Sequence, residues 1–177
     1  MKRLLLSATV LAMLVIADTF FGQGMAPAWT SPGSAGSIID LPSLSNASAG
    51  QESRGNLTFN SAASGTITAR YNVVNTAVLP MNRSTGRPPW TTFEMAYIMP
   101  AGTTITATLY GLPSCQQTPV MICQIPTVAT PTLRCDRCTF PNTTFNYFTS
   151  IYFIEVTLTR PSTGLAAPAV CSLRVYN

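Results

Sequence analysis

The chain has no histidine, and its single lysine is Lys2, close to the N-terminus. The lack of histidine excludes a Ser-His-Asp triad, a Cys-His nucleophile and a histidine-bound catalytic metal. Because no lysine follows Lys2, Schiff-base chemistry is excluded for the rest of the chain. A calcium loop needs several Asp or Glu residues at close spacing, and no segment provides them. The sequence therefore predicts a protein that is not an enzyme, with no metal site and no cofactor.

Charged residues are scarce as well, at 9% of the chain against roughly 25% in an average protein. The arginines are spread along the chain without a basic run. A nucleic-acid surface normally needs clustered Lys or Arg, so we expect no nucleic-acid partner. Serine and threonine supply the polar surface instead, and threonine is typical of exposed strand faces.

A long apolar run from Leu4 to Phe21 follows the positively charged start of the chain. Small residues stand beyond it at Ala26 and Ala28, where a signal peptidase reads its site. We expect residues 1–28 to be a secretory signal peptide and the mature chain to start close to Trp29. An uncleaved membrane anchor is the alternative, because the run is about as long as a minimal span. Either way, a secreted or cell-surface protein is predicted, or a periplasmic one in a Gram-negative host.

Residues 29–55 are rich in Ser, Ala, Gly and Pro, which is typical of a flexible lead-in. A short apolar island lies inside this segment, at residues 37–41. It predicts either a first strand of the chain's own sheet or a strand that is added to a second copy.

Residues 56–177 alternate between apolar and polar side chains, the pattern of half-buried strands. The apolar sets of the four clearest strands are Ile67, Ala69, Tyr71 and Val73; Ile105, Ala107 and Leu109; Tyr152, Ile154, Val156 and Leu158; and Ala169, Cys171, Leu173 and Val175. Turn signals such as Pro100-Ala101-Gly102 separate the strands. This spacing predicts an all-β domain, an antiparallel β-sandwich of jelly-roll or immunoglobulin-like type with seven or eight strands.

Five cysteines follow the apolar run, and disulfides are the default in an exported chain. We expect Cys115 to pair with Cys123 across a short loop, and one thiol to remain. Cys135 and Cys138 either close a tight ring or supply a partner for Cys171. A zinc site made of the first four cysteines and a redox-active Cys135-x-x-Cys138 are the alternatives.

Trp90 follows two prolines and is either a platform for stacking a sugar or a cap on the sandwich core. Glu94 and Glu155 each lie in a strand, in the phase opposite to its apolar set. As a pair they would provide the two carboxylates of a glycoside hydrolase. The simpler interpretation is that each glutamate pairs with a neighbouring arginine on a solvated face.

Asn-x-Ser/Thr sequons, the acceptors of N-glycosylation in hosts that perform it, occur at four positions. These are Asn46, Asn56, Asn82 and Asn142.

Four segments of the domain carry a resemblance to a group of known proteins. They are RYNVVNT from Arg70, PPWTT from Pro88, YFIEVTL from Tyr152 and LRVY from Leu173. Together they resemble small exported bacterial β-sandwich proteins of unknown function, over residues 56–177. The resemblance implies the fold and no activity.

These observations predict a non-enzymatic β-sandwich that serves as a structural or interaction module at or beyond the cell surface. Its partner would be a protein or a glycan. One alternative is a small carbohydrate-binding module or hydrolase that uses Trp90 with Glu94 and Glu155. Another is a filament or matrix subunit that self-associates by β-strand addition of its N-terminal segment.

Overall fold

The computed structural model describes residues 28–39, 41–48, 55–75 and 87–177. The expected signal peptide, apart from Ala28, and the sequon at Asn82 lie outside these residues. Among them no helix has the length and the apolar character that a membrane crossing requires. The elements are β1 (Trp29–Pro32), a 3-10 turn (Gly33–Ala35), β2 (Ser37–Ile38), α1 (Leu41–Asn46), β3 (Ala47–Ser48), β4 (Leu57–Phe59), β5 (Gly65–Val73), β6 (Thr92–Met99), β7 (Thr104–Pro113), β8 (Val120–Gln124), β9 (Thr130–Thr139), β10 (Ser150–Arg160) and β11 (Ala169–Tyr176).

The strands form two antiparallel sheets, so the prediction of an all-β sandwich is confirmed. The first sheet has the order β3-β4-β11-β6-β9, and β1 also pairs with β11. The second sheet has the order β2-β5-β10-β7-β8. Inner-face side chains of both sheets make one buried core. The described residues contain 11 strands where the sequence predicted seven or eight, because β1 to β4 are short.

Alternation of side chains along β5, β7 and β10 places the predicted apolar sets on the inner face of the second sheet. Every residue of these three sets is nearly or fully buried. Burial of one such side chain stabilises the fold by about 1.5–3 kcal/mol, so these three central strands hold much of the core energy. Their opposite phase forms the outer face of the sheet, which carries the residues discussed below.

The phase of β11 differs from the prediction at Cys171. A bulge between Val170 and Ser172 interrupts the pairing of β11 with β6. An extra residue in a bulge shifts the alternation by one position. Val170 is therefore fully buried, and Cys171 is only half-buried. The expectation that Cys171 lies in the core phase was wrong for this reason.

The N-terminal segment, for which the composition predicted a flexible lead-in over residues 29–55, contributes short strands to the sandwich where the structure describes it. β1 pairs with β11 and β2 pairs with β5 of the same chain. Tyr71 donates its hydroxyl proton to the carbonyl of Gly33. A Cβ on Gly36 would stand 2.5 Å from the Tyr71 ring, so this close approach requires glycine. The structure thus adopts the intramolecular alternative for the apolar island.

Candidate binding pocket

A pocket of about 330 Å³ opens where β5 ends and β10 begins. We call it the end pocket. Its lining residues are Asn72, Val73, Val74, Asn75, Tyr147, Ile151 and Tyr152. Val74 and Ile151 are 55% and 63% exposed, so they form the rim of the opening. The lining is apolar or amide-bearing, and its ionisable groups are the two tyrosine phenols.

Two tyrosines hold the inner wall of the end pocket in place. The Tyr147 hydroxyl donates to the carbonyl of Val73 at 3.0 Å. The Tyr152 hydroxyl donates to the carbonyl of Thr144 at 3.0 Å and accepts from the main-chain N–H of Asn146 at 2.7 Å. Burial, with Tyr152 close by, raises the pKa of Tyr147 far above its usual range. The Tyr147 phenol therefore stays neutral at physiological pH, and the lining contains no Asp, Glu, Lys or Arg.

Behind this wall lies a cluster of aromatic rings that includes Trp90. Trp90 is fully buried and meets Phe145 edge-on, with 5.3 Å between ring centroids. Phe145 in turn packs against Tyr147 and Tyr152 at 6.0 and 4.5 Å. No face of Trp90 is open to a sugar in this structure. Trp90 therefore occupies a core position and does not form a stacking platform. Its link to the end pocket is indirect, through Phe145.

The outer face of the second sheet beside Asn72 carries a second aromatic pair. Tyr110 and Phe153 stack with 5.3 Å between centroids. The Arg70 guanidinium lies 4.4 Å from the centroid of Phe153 and bonds the Glu155 carboxylate at 2.9 Å. Because Arg70 covers the ring, Phe153 is 5% exposed. This pair is therefore a closed surface layer rather than a ligand platform.

Glu94 and Glu155 do not form a catalytic pair. Glu94 lies on the outer face of the first sheet, where Tyr176 donates to it and Arg174 is 3.7 Å away. Glu155 lies on the outer face of the second sheet and pairs with Arg70. Packed sheets stand roughly 10 Å apart, and these two carboxylates point away from each other. Glu94 and Glu155 therefore do not supply the two carboxylates of a hydrolase, and each makes an ion pair with an arginine instead.

The disulfide joins Cys123 to Cys138, with Cα atoms 6.2 Å apart. Cys123 of β8 lies opposite Leu109 of β7, and Cys138 of β9 lies opposite Phe93 of β6. Both face inward from the edge strands of the two sheets, so the bond ties the sheets together. The partners are 15 residues apart, and a loop of that length contributes about 3 kcal/mol in the chain-entropy model.

The expected pair of Cys115 with Cys123 was wrong, because Cys115 is exposed in the turn before β8 while Cys123 faces the core. Cys135 and Cys138 stand three apart on one strand and point to opposite faces. They therefore form neither the tight ring nor a redox dithiol. Cys115, Cys135 and Cys171 are free, three thiols where one was expected. Burial, with Cys135 nearby, raises the pKa of the Cys171 thiol.

Because Cys123 and Cys138 form a disulfide, the four cysteines do not form the alternative zinc site. Within residues 28–39, 41–48, 55–75 and 87–177, no three His, Cys, Asp or Glu side chains converge as metal ligands. Three sequons are described: Asn142 is exposed, while Asn46 and Asn56 are half-buried. The amide nitrogen of Asn46 donates to the carbonyl of Thr66 at 3.4 Å.

The end pocket combines residues that the sequence offered no reason to group. Asn72 stands in the polar phase of a predicted strand, and Val74 and Asn75 follow its end. Tyr147 comes from a loop more than seventy residues further along the chain. The sequence signal for Tyr147 was its place in an aromatic-rich loop, close to Phe145 and Phe148.

No protein-family model matches the chain, and no curated protein sequence matches it. Among solved structures, a family 6 carbohydrate-binding module from Clostridium cellulolyticum in complex with xylose is similar at 13% identity and TM-score 0.45, over 84% of this chain and 97% of the other. The C-terminal family 6 module of a laminarinase from Zobellia galactanivorans is similar at 8% identity and TM-score 0.45, over 85% and 100%. A xylan-binding domain from Paenibacillus barcinonensis gives 10% identity and TM-score 0.42, over 84% and 99%. Such low values identify no ligand for this chain.

Proposed function

We propose that this chain is an exported, non-catalytic binding module that holds one uncharged sugar residue of a glycan in the end pocket. The observation that carries the proposal is the lining of the pocket. It joins an apolar rim, Val74 and Ile151, to the side chains of Asn72 and Asn75 and the ring of Tyr147. Its volume of about 330 Å³ lies at the small end of the range for ligand sites.

A sugar residue fits this chemistry because it presents an apolar C–H face together with hydroxyl groups. An Asn side chain both donates and accepts hydrogen bonds, which suits a hydroxyl group. Apolar side chains and a tyrosine ring suit the C–H face, as in most small-molecule sites. A charged ligand finds no counter-charge here, because the lining contains no Asp, Glu, Lys or Arg.

Binding without hydrolysis follows from the same lining. Glycoside hydrolysis generally uses two carboxylates placed on either side of the scissile bond. The end pocket contains no Asp or Glu among its lining residues. Glu155, on the same sheet, is held in its ion pair with Arg70.

Filling the opening of the pocket tests the proposal. Replacing Val74 with tryptophan puts a large ring on the rim, and we expect it to weaken glycan binding at least tenfold because the sugar is excluded. Binding is measured by isothermal titration calorimetry against whichever neutral oligosaccharide the wild type binds in a panel of xylo-, cello-, manno- and galacto-oligosaccharides.

Val120→Trp is the matched control. Val120 and Val74 are both 55% exposed, but Val120 lies on the edge strand β8, outside the pocket. We expect wild-type affinity for this variant. Equal affinities for both variants would place the glycan elsewhere, and a wild type that binds none of the panel would reject a sugar as the ligand.

A further inference from the structure

The outer face of the second sheet carries a regular set of threonines at the end opposite the end pocket. A Thr-x-Thr segment occurs in each of the three neighbouring strands β5, β10 and β7. The strand pairing places them in two rows, with Thr157 between Thr68 and Thr106, and Thr159 between Thr66 and Thr104. We call these six residues the threonine grid.

The hydroxyls of the threonine grid have no partner within the described part of the protein. None of the six side chains takes part in a hydrogen bond with another described residue. Other threonines differ: Thr103 and Thr127 donate to backbone carbonyls at 2.7 and 2.8 Å. Three grid residues are exposed and three half-buried, so the hydroxyls are open to water.

The spacing of the grid follows from sheet geometry. Neighbouring strands lie about 4.8 Å apart, and residues i and i+2 on one strand lie roughly 6.6–6.8 Å apart. Water oxygens on a prism face of hexagonal ice repeat at one distance close to the first spacing and at another somewhat longer than the second. Strand twist of about 20–25° lifts the corners of so small a grid out of plane by only about 1 Å.

We infer that the threonine grid binds ice, a function separate from glycan binding and independent of it. The hydroxyls and methyl groups of the grid hold surface waters at lattice positions, and these waters join the growing crystal face. The nearest charged side chains on this face, Arg70 and Glu155, lie beside the row of Thr157 and neutralise each other. Within the described residues, this face therefore places no unpaired charge beside the grid.

Other occupants fit the grid less well. A second protein copy would strip water from six hydroxyls, and a buried hydroxyl without a new hydrogen bond is costly. A polysaccharide surface needs aromatic rings or hydrogen-bonding amides, and the grid itself has neither. Ice leaves every hydroxyl bonded to water, so docking incurs no such desolvation cost.

Replacing the central Thr157 with tyrosine tests the inference, because the ring breaks the grid between both of its neighbours. The purified wild-type protein should arrest recrystallisation of polycrystalline ice, and Thr157→Tyr should need at least tenfold more protein for the same effect. Thr106→Tyr is a second variant at an exposed position on β7. Thermal unfolding shows which of the variants retains the fold.

Thr139→Tyr, at an exposed position on the edge strand of the other sheet, is the matched control and should arrest ice recrystallisation as the wild type does. Four results would each overturn the inference. In the first, the wild type does not arrest ice recrystallisation, and in the second, the folded grid variants arrest it as well as the wild type does. In the third, the wild type binds microcrystalline cellulose and loses that binding through Thr157→Tyr. In the fourth, sedimentation shows oligomers that Thr157→Tyr dissociates.

Discussion

A Trp90→Ala variant is expected to lose about 3–5 kcal/mol of unfolding free energy, the usual cost of deleting a large buried aromatic side chain. Trp90 is fully buried and packs edge-on against Phe145. Phe145 contacts both tyrosines of the pocket wall, so the cavity left by the indole also removes support from Tyr147 and Tyr152. Urea unfolding followed by circular dichroism measures the loss.

Phe148→Ala is the control for this experiment, because Phe148 is an aromatic residue of the neighbouring loop that is 69% exposed. Its removal should change the unfolding free energy by less than about 1 kcal/mol, since a surface side chain loses little burial. A loss of under 1 kcal/mol for Trp90→Ala as well would contradict the core position and restore Trp90 as a surface platform.

Arg160→Met is expected to cost at least about 3 kcal/mol, because an unsatisfied buried acceptor costs about 1–3 kcal/mol and several are created at once. Arg160 is 6% exposed, and its guanidinium donates hydrogen bonds of 2.6 to 3.4 Å to main-chain carbonyls of two loops. The acceptors are the carbonyl oxygens of Asn60, Ser61 and Ala63 in one loop and of Thr163 and Leu165 in the other. Methionine keeps much of the side-chain volume without a donor.

Arg174→Met separates this effect from the loss of a positive charge. Arg174 is a partly exposed arginine that stands 3.7 Å from Glu94, and surface pairs of this kind contribute about 0–1 kcal/mol. Both variants are compared by urea unfolding at the same pH. Similar losses for the two would mean that the carbonyls around Arg160 find water and that this buried contact does not hold the loops.

The fold of the central strands could be predicted because each is long enough to show its period. β5, β7 and β10 have nine to eleven residues, and one face of each is buried against the other sheet. The same rule failed where a bulge resets the phase, at Cys171. It also failed for β1 and β2, where four and two residues are too few to show alternation.

The disulfide and the pocket depend on which strands lie at the sheet edges, and sequence spacing does not contain that information. Cys123 and Cys138 meet because β8 and β9 end their sheets on the same side of the sandwich. Tyr147 reaches Val73 because a loop folds back under the end of β5. The sequence did indicate Trp90 as a core cap, and its rival interpretation as a sugar platform fails because Phe145 and its neighbours enclose the ring.

The most direct test of the glycan-binding proposal is a titration of the isotopically labelled protein with neutral oligosaccharides, followed through the amide NMR signals. We expect saturable shifts that cluster at Asn72, Asn75 and Tyr147, with the signals of Thr157 and Thr159 unchanged. Saturable shifts confined to another surface would contradict the assignment to the end pocket. An absence of shifts with every sugar would contradict glycan binding itself.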